Sequence, residues 1–133
     1  MIFHKFSSDK ERRSFGGSCF LELQYCRFPH DTEIDKIISV DSVRHWKLDS
    51  LYVYEDDESF EVFINEYIGI FSSGIYCNGK SGPLDTYGIN YYSPEQLSVI
   101  IQKLTDKKPA EYEILLDWLD SSTEYNGIYI LGI

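Results

Sequence analysis

The sequence predicts an α+β fold in a single domain over residues 1–133, built on a central mixed or antiparallel sheet. Three observations support this prediction. One helix is expected mid-chain near residues 57–68, a helical pair is expected near residues 94–121, and the final run IYILGI is apolar like a strand covered on both faces. With 133 residues, 43% of them hydrophobic, the chain is long enough to bury a substantial core.

The first third of the chain contains one clear strand. Residues 1–17 are mostly polar, so we expect them to be loosely packed. Residues 19–26 alternate, with Glu22 and Gln24 opposite the apolar positions, which is typical of a half-buried strand. Residues 33–46 fit either a helix or a strand.

The mid-chain helix follows a short predicted strand at residues 51–55. Apolar residues recur at helical spacing from Phe60 to Tyr67, so one face of the helix is apolar. Asp56 and Asp57 are suitable N-caps, because carboxylates accept hydrogen bonds from the first turn and favour the positive end of the helix dipole.

The C-terminal helical pair begins at Ser93, where Ser-Pro-Glu-Gln predicts a capping box. The second helix of the pair follows Pro109 and is followed by a turn at Asn126-Gly127 and the final strand. Its spacing predicts a buried stripe of Tyr112, Leu115, Leu116 and Leu119, with Ile114 and Trp118 outside that stripe.

The net charge of −10 is unevenly distributed. Residues 1–47 hold eight Lys/Arg and seven Asp/Glu, a balance of +1, whereas residues 48–133 hold four and fifteen, a balance of −11. An acidic body repels nucleic acid and anionic membranes and attracts basic partners. Solubility alone also accounts for such a charge.

The sequence also suggests a compartment. The N-terminus has no apolar core of the length that a secretory signal needs, and no run reaches the roughly 18 apolar residues that span a membrane. The three cysteines have no regular spacing, so they do not predict a disulfide framework. We therefore expect a cytoplasmic protein without a membrane partner.

The stretch GIYCNGKS, Gly74 to Ser81, matches the letters of a phosphate-binding P-loop. A P-loop needs a helix that starts at the Lys-Ser pair. Here Gly82 and Pro83 follow, and the next segment alternates like a strand. The stretch therefore predicts a strand that enters an Asn-Gly turn.

Metal and catalytic signatures are weak. Cys19, Cys26 and His30 do not have the usual C-x2-4-C spacing of zinc sites, and there is no G-x-S-x-G nucleophile elbow. The run EDDE at 55–58 could hold a divalent cation, but helix capping explains at least one of its carboxylates. We predict no cofactor, no metal site and no catalytic residue.

The second half of the chain resembles bacterial immunity proteins of contact-dependent growth inhibition (CDI) systems. The resemblance covers about 60 of 133 residues, from Gly74 to Ile133, in the order strand, helix, helix, strand. It lies in the stretches GIYCNGKSGPLDTYGINYYSPEQLSVIIQKL, KPAEYEILLDWL and YNGIYILGI. It implies a small cytoplasmic, non-enzymatic α+β protein that binds and neutralises the toxic C-terminal domain of a cognate effector.

Charge and resemblance together predict a toxin-binding surface. A basic toxin domain, such as a nuclease, would be steered to an acidic surface that contains aromatic anchors. The residues expected to form that surface are Glu55, Asp57, Glu58, Glu61, Glu113, Asp117, Trp118 and Asp120.

Two other functions stay open at this point. One is a small nucleotide-binding protein or enzyme that uses the Gly74–Ser81 loop and Lys80. The other is a generic acidic adaptor or regulatory subunit. Whether the chain forms a homo-oligomer does not follow from the sequence.

Overall fold

A central antiparallel sheet organises the chain, as a computed structural model describes it for residues 1–41 and 43–132. Ser42 and Ile133 lie outside the described residues. The parts of the predictions for residues 33–46 and for IYILGI that fall on these two positions therefore lie outside them too. Within the described residues seven strands form one sheet in the order β1-β3-β2-β7-β6-β4-β5, and every pairing is antiparallel. The strands are β1 (Phe3–His4), β2 (Phe20–Tyr25), β3 (Leu51–Tyr54), β4 (Gly74–Ile75), β5 (Ser81–Gly82), β6 (Ile89–Tyr92) and β7 (Ile128–Leu131).

Helices cover both faces of this sheet. The same described residues form five α-helices and one 3-10 turn, and the α+β class predicted from the sequence is confirmed. The helices are α1 (Asp9–Gly16), α2 (Ile34–Ile37), α3 (Glu58–Tyr67), α4 (Pro94–Lys107) and α5 (Tyr112–Asp120), followed by the 3-10 turn at Ser121–Glu124.

The first face of the sheet, which we call the helix-layer face, carries the main core. Leu21, Leu23 and Tyr25 of β2 point to it, and α3, α4 and α5 cover it. Phe63 and Leu104 are fully buried there. Each such side chain contributes about 1.5–3 kcal/mol by leaving water, so this layer is the main source of stability.

The second face is covered by the N-terminal segment and by the connection between β2 and β3. Phe6 packs with Phe20 and Tyr52, while Ile37 and Ile38 pack at the other end of the face. Glu22 and Gln24 of β2 are buried under this cover. Strand β2 is therefore covered on both faces, and the half-buried strand expected from its alternation is wrong.

The N-terminal segment is packed, and the loose packing expected for residues 1–17 is wrong. Strand β1 pairs with β3, and Ile2 and Phe3 are buried in the main core. Helix α1 begins at the N-cap Ser8, whose hydroxyl accepts a hydrogen bond from the Glu11 amide. Apolar residues that are isolated in sequence are thus brought together by the sheet.

The predicted helix boundaries are largely confirmed. Asp57 caps α3, and Ser93 with Gln96 forms both hydrogen bonds of the capping box at α4. Helix α5 begins at Tyr112, later than Pro109, because Glu111 adopts a left-handed backbone conformation ahead of it. Residues 34–37 of the ambiguous segment form the short helix α2.

Candidate functional site

The acidic residues at the start of α3 fall into two groups. The carboxylate of Asp57 caps the helix by accepting a hydrogen bond from the Ser59 amide at 3.4 Å. Glu58 and Glu61 follow in the first turn and are exposed. Capping therefore occupies Asp57, while the two glutamates project into solvent.

Glu55 does not project freely into solvent. Its Oε1 atom is buried and has no hydrogen-bond partner among the described residues. Burial, followed by the neighbouring charge of Asp56, raises the pKa of the Glu55 carboxyl. Glu55 is thus only partly available to a partner.

Helix α5 exposes three acidic residues but not its tryptophan. Glu113, Asp117 and Asp120 are exposed, whereas Trp118 is only 3% exposed. The exposed position predicted for Trp118 is wrong. The buried stripe of α5 includes it, and Ile114, with 38% exposure, is the apolar residue that reaches the surface among these acids.

Contacts to the sheet explain the burial of Trp118. Its ring stacks on Tyr25 with centroids 4.2 Å apart, and its indole N–H donates to the Asp49 carbonyl at 2.7 Å. The Tyr25 hydroxyl in turn donates to the Trp118 carbonyl at 2.7 Å. A buried tryptophan needs such a partner for its N–H, and here the sheet and its connections provide it.

The exposed acids of α3 and α5 belong to one layer, because both helices pack against the helix-layer face of the sheet. Aliphatic side chains are exposed on helices α3, α4 and α5 or directly after them. They are Val62, Ile68, Val99 and Ile114, with exposures between 38% and 55%. We call the outward side of this layer the helix-layer surface.

A second polar cluster, which the sequence did not predict, surrounds Glu22 on the other face. Glu22 is fully buried. Its Oε1 accepts from the Trp46 amide at 2.7 Å, and its Oε2 accepts from the Ser50 hydroxyl at 2.7 Å and from the Gln24 side-chain amide at 2.9 Å. His45 Nδ1 lies 3.4 Å from Oε1.

These donors keep Glu22 charged. Burial alone would raise the pKa of Glu22, but the hydrogen bonds from His45, Trp46, Ser50 and Gln24 outweigh burial and lower it. A carboxylate with this many donors is a poor general base. Its effect is to hold the segment from His45 to Ser50 against the sheet. The alternation in β2 predicts that Glu22 faces solvent. The cluster forms because the connection between β2 and β3 folds over this face, which the pattern within β2 does not indicate.

The stretch Gly74–Ser81 forms a hairpin. Strands β4 and β5 pair through Gly74 with Gly82 and through Ile75 with Ser81. The turn is closed by Tyr76, whose amide donates to the Lys80 carbonyl at 2.8 Å. No helix starts at Lys80. The strand-and-turn prediction is confirmed, and a P-loop would require a different backbone here.

Potential metal ligands and thiols are dispersed. In the part of the chain that the structure describes, no three His, Cys, Asp or Glu side chains form a group that could hold a metal ion. Cys26 is buried and its thiol lies 3.5 Å from the Tyr129 hydroxyl, while Cys19 is partly buried and Cys77 is exposed.

Comparison with known proteins found no match in any of three searches, which covered protein-family models, curated proteins and solved structures. None of the helices over residues 1–41 and 43–132 is long and apolar enough to cross a lipid bilayer.

Proposed function

We propose that this protein is an immunity protein of the CDI type, which binds and neutralises a basic toxin domain through its helix-layer surface. The toxin domain would be one that acts on a polyanion, such as a nuclease. Occlusion of the toxin's active site, rather than any reaction, is then the function of the chain.

The observation that carries this proposal is the charge of the helix-layer surface. Glu58, Glu61, Glu113, Asp117 and Asp120 are exposed, and none has an ion-pair partner among the described residues. Unpaired acids retain their full attraction for a basic partner. Electrostatic steering of this kind raises association rates by about one to three orders of magnitude.

The exposed aliphatic residues provide the other component that a tight complex needs. Binding energy usually concentrates in a few apolar anchors surrounded by a charged rim. Ile114 lies next to Glu113 on α5, and Val62 lies next to Glu61 on α3. In our proposal these aliphatic residues are the anchors, and Trp118 supports them from beneath the surface.

The direct test asks whether the gene beside this one encodes a toxin domain, as we expect, and whether this protein inhibits that domain. We expect the two proteins to co-purify, and a molar excess of this protein to abolish the activity of the toxin. An active toxin in that excess would contradict the proposal.

Charge reversal locates the surface. Replacement of Glu58, Glu61, Glu113 and Asp117 by Lys is expected to lower the association rate at least tenfold, at low salt, in a kinetic binding assay. The matched control reverses four exposed acids away from this surface, Asp31, Glu33, Asp35 and Asp41, with the same change of net charge. Equal effects of both variants would mean that only net charge matters.

A further inference from the structure

A cavity on the second face of the sheet gathers basic side chains in an acidic protein. Its volume is about 190 Å³. Arg27, Arg44 and Lys47 line it, although the chain as a whole has a net charge of −10. Gln24, Phe28 and Tyr129, whose side chains lie on the second face, and residue Tyr25 provide the remaining walls.

Two of these cations have no counter-ion. The Arg27 guanidinium contacts both carboxylate oxygens of Asp49 at 2.5 Å, so its charge is largely satisfied. Arg44 and Lys47 form no ion pair within the described residues. The buried carboxylate of Glu22 is already engaged by its own donors. The cavity therefore presents two unpaired positive charges.

Side chains of the sheet hold the backbone of residues 44–47, which carries Arg44 and Lys47. The Gln24 side-chain amide donates to the Arg44 carbonyl at 2.8 Å, and the Lys47 amide donates to the Tyr52 hydroxyl at 3.3 Å. Between them Trp46 has a φ of 74°, a left-handed conformation that costs about 1–3 kcal/mol for a residue with a side chain. Anchoring on both sides of Trp46 presents Arg44 and Lys47 from a fixed backbone, which lowers the entropy that a ligand must remove.

The volume restricts the ligand. A cavity of about 150 Å³ is enough to hold benzene. Sites for drug-sized ligands and cofactors have roughly 300–1,000 Å³. A single ring with one small charged group matches the 190 Å³ found here.

We propose that this cavity binds a small organic anion, a carboxylate or phosphate group on one aromatic ring. The anionic group lies between Arg44 and Lys47, which provide charge-assisted hydrogen bonds. The ring lies against Phe28 and Tyr129, which line the cavity on the same face of the sheet. This site is independent of the helix-layer surface, because it lies on the opposite face of the sheet, so toxin binding and anion binding can fail separately.

An NMR titration of the ¹⁵N-labelled protein tests the proposal with four probes. Benzoate and phenyl phosphate each combine a ring with an anion, benzyl alcohol lacks the charge, and inorganic phosphate lacks the ring. We expect saturable shifts of the Gln24, Arg44 and Lys47 amides with at least one of the first two probes, and the stronger of the two identifies the anionic group. The two incomplete probes are expected to bind at least tenfold more weakly.

Variants separate this site from general charge effects. Arg44→Gln and Lys47→Gln are each expected to weaken binding at least tenfold, and both alter side chains on a segment held by its backbone. Arg13→Gln and Lys103→Gln remove the same charge elsewhere and are expected to bind like the unchanged protein. The proposal is overturned by no saturable shift with either ring anion, by inorganic phosphate binding equally well, or by equal binding of all four variants.

Discussion

Glu22 shows how a single buried charge positions a whole segment. Its two carboxylate oxygens accept hydrogen bonds from β2 itself and from the connection that crosses the second face. Buried charges are tolerated when they are fully hydrogen-bonded, and their removal leaves several donors unsatisfied. The position of Arg44 and Lys47 at the basic cavity thus depends on a residue that no ligand touches.

The first prediction concerns the stability that Glu22 confers. Glu22→Ala is expected to lower the free energy of unfolding by at least about 3 kcal/mol, because the Trp46, Ser50 and Gln24 donors lose their acceptor in a buried site, at about 1–3 kcal/mol each. Urea unfolding followed by circular dichroism measures this change. The control Glu58→Ala, on an exposed carboxylate, is expected to stay within about 0.5 kcal/mol. Similar values for both variants would contradict the role assigned to Glu22.

The second prediction concerns pH. The folded protein lowers the pKa of Glu22 below its ordinary value of 4.5, so the charged carboxylate stabilises the folded state above that pH. As the pH falls below 4.5 the unfolded chain takes up the proton first, and the contribution is lost as the pH passes through the folded pKa. A ¹³C NMR titration of the Glu22 carboxyl is expected to have its midpoint below 4.5. In Ser50→Ala, which removes one donor, the midpoint should rise; a wild-type midpoint at or above 4.5 would refute the assignment.

Among the helices and strands, the sequence correctly predicted those boundaries that residues close together in the chain determine. Helices α3 and α4 begin where their capping residues stand, at Asp57 and Ser93. Trp118 was misplaced because a stripe read from one helix does not reveal the aromatic partner on the sheet, Tyr25, that draws its ring inward. The site residues Glu58 and Glu61 are exposed as predicted, but whether they bind a partner depends on a second protein that the sequence does not contain.

The turn before β7 gives the third prediction. Gly127 has a φ of 85°, and a Cβ at this position would lie 2.1 Å from the Tyr92 carbonyl oxygen. Gly79, in the turn between β4 and β5, has a φ of 82° but no atom within 4 Å of the corresponding Cβ. Gly127→Ala therefore combines backbone strain with a steric overlap, whereas Gly79→Ala has strain alone.

Chemical denaturation distinguishes the two glycines. Gly79→Ala is expected to cost about 1 kcal/mol of unfolding free energy, and Gly127→Ala at least about 2 kcal/mol more. Equal losses would indicate that the backbone near Tyr92 relaxes freely.

For the whole molecule, the order of strands joins distant parts of the chain. Strand β7, near the end of the described chain, lies in the sheet between β2 and β6 and pairs with both. All four of its residues are buried. The strand thus holds together an N-terminal half-sheet of β1, β3 and β2 and a later half-sheet of β6, β4 and β5. The apolar run at 128–131 indicated a strand covered on both faces. It did not indicate which strands would pair with it, because a pattern within one segment carries no information about distant segments.

The fourth prediction follows from this central position. A chain that ends at Tyr125 lacks β7, so the edges of β2 and β6 lose their partners and the core loses Ile128 and Ile130. We expect this chain to show no cooperative unfolding transition and little dispersion in its ¹H–¹⁵N spectrum, because unpaired buried backbone groups and lost apolar burial together exceed the 5–15 kcal/mol stability of a typical domain.

The control for this deletion shortens a hairpin at the edge of the sheet instead of removing its central strand. Replacement of residues 76–80 by Asn-Gly leaves Ile75 and Ser81 joined by a two-residue hairpin turn of the type that favours these residues. This variant is expected to unfold cooperatively with a loss of no more than about 2 kcal/mol, since the deleted residues are exposed or only partly buried. A dispersed spectrum from the chain without β7, or an unfolded hairpin variant, would show that the two half-sheets do not depend on their central strand in this way.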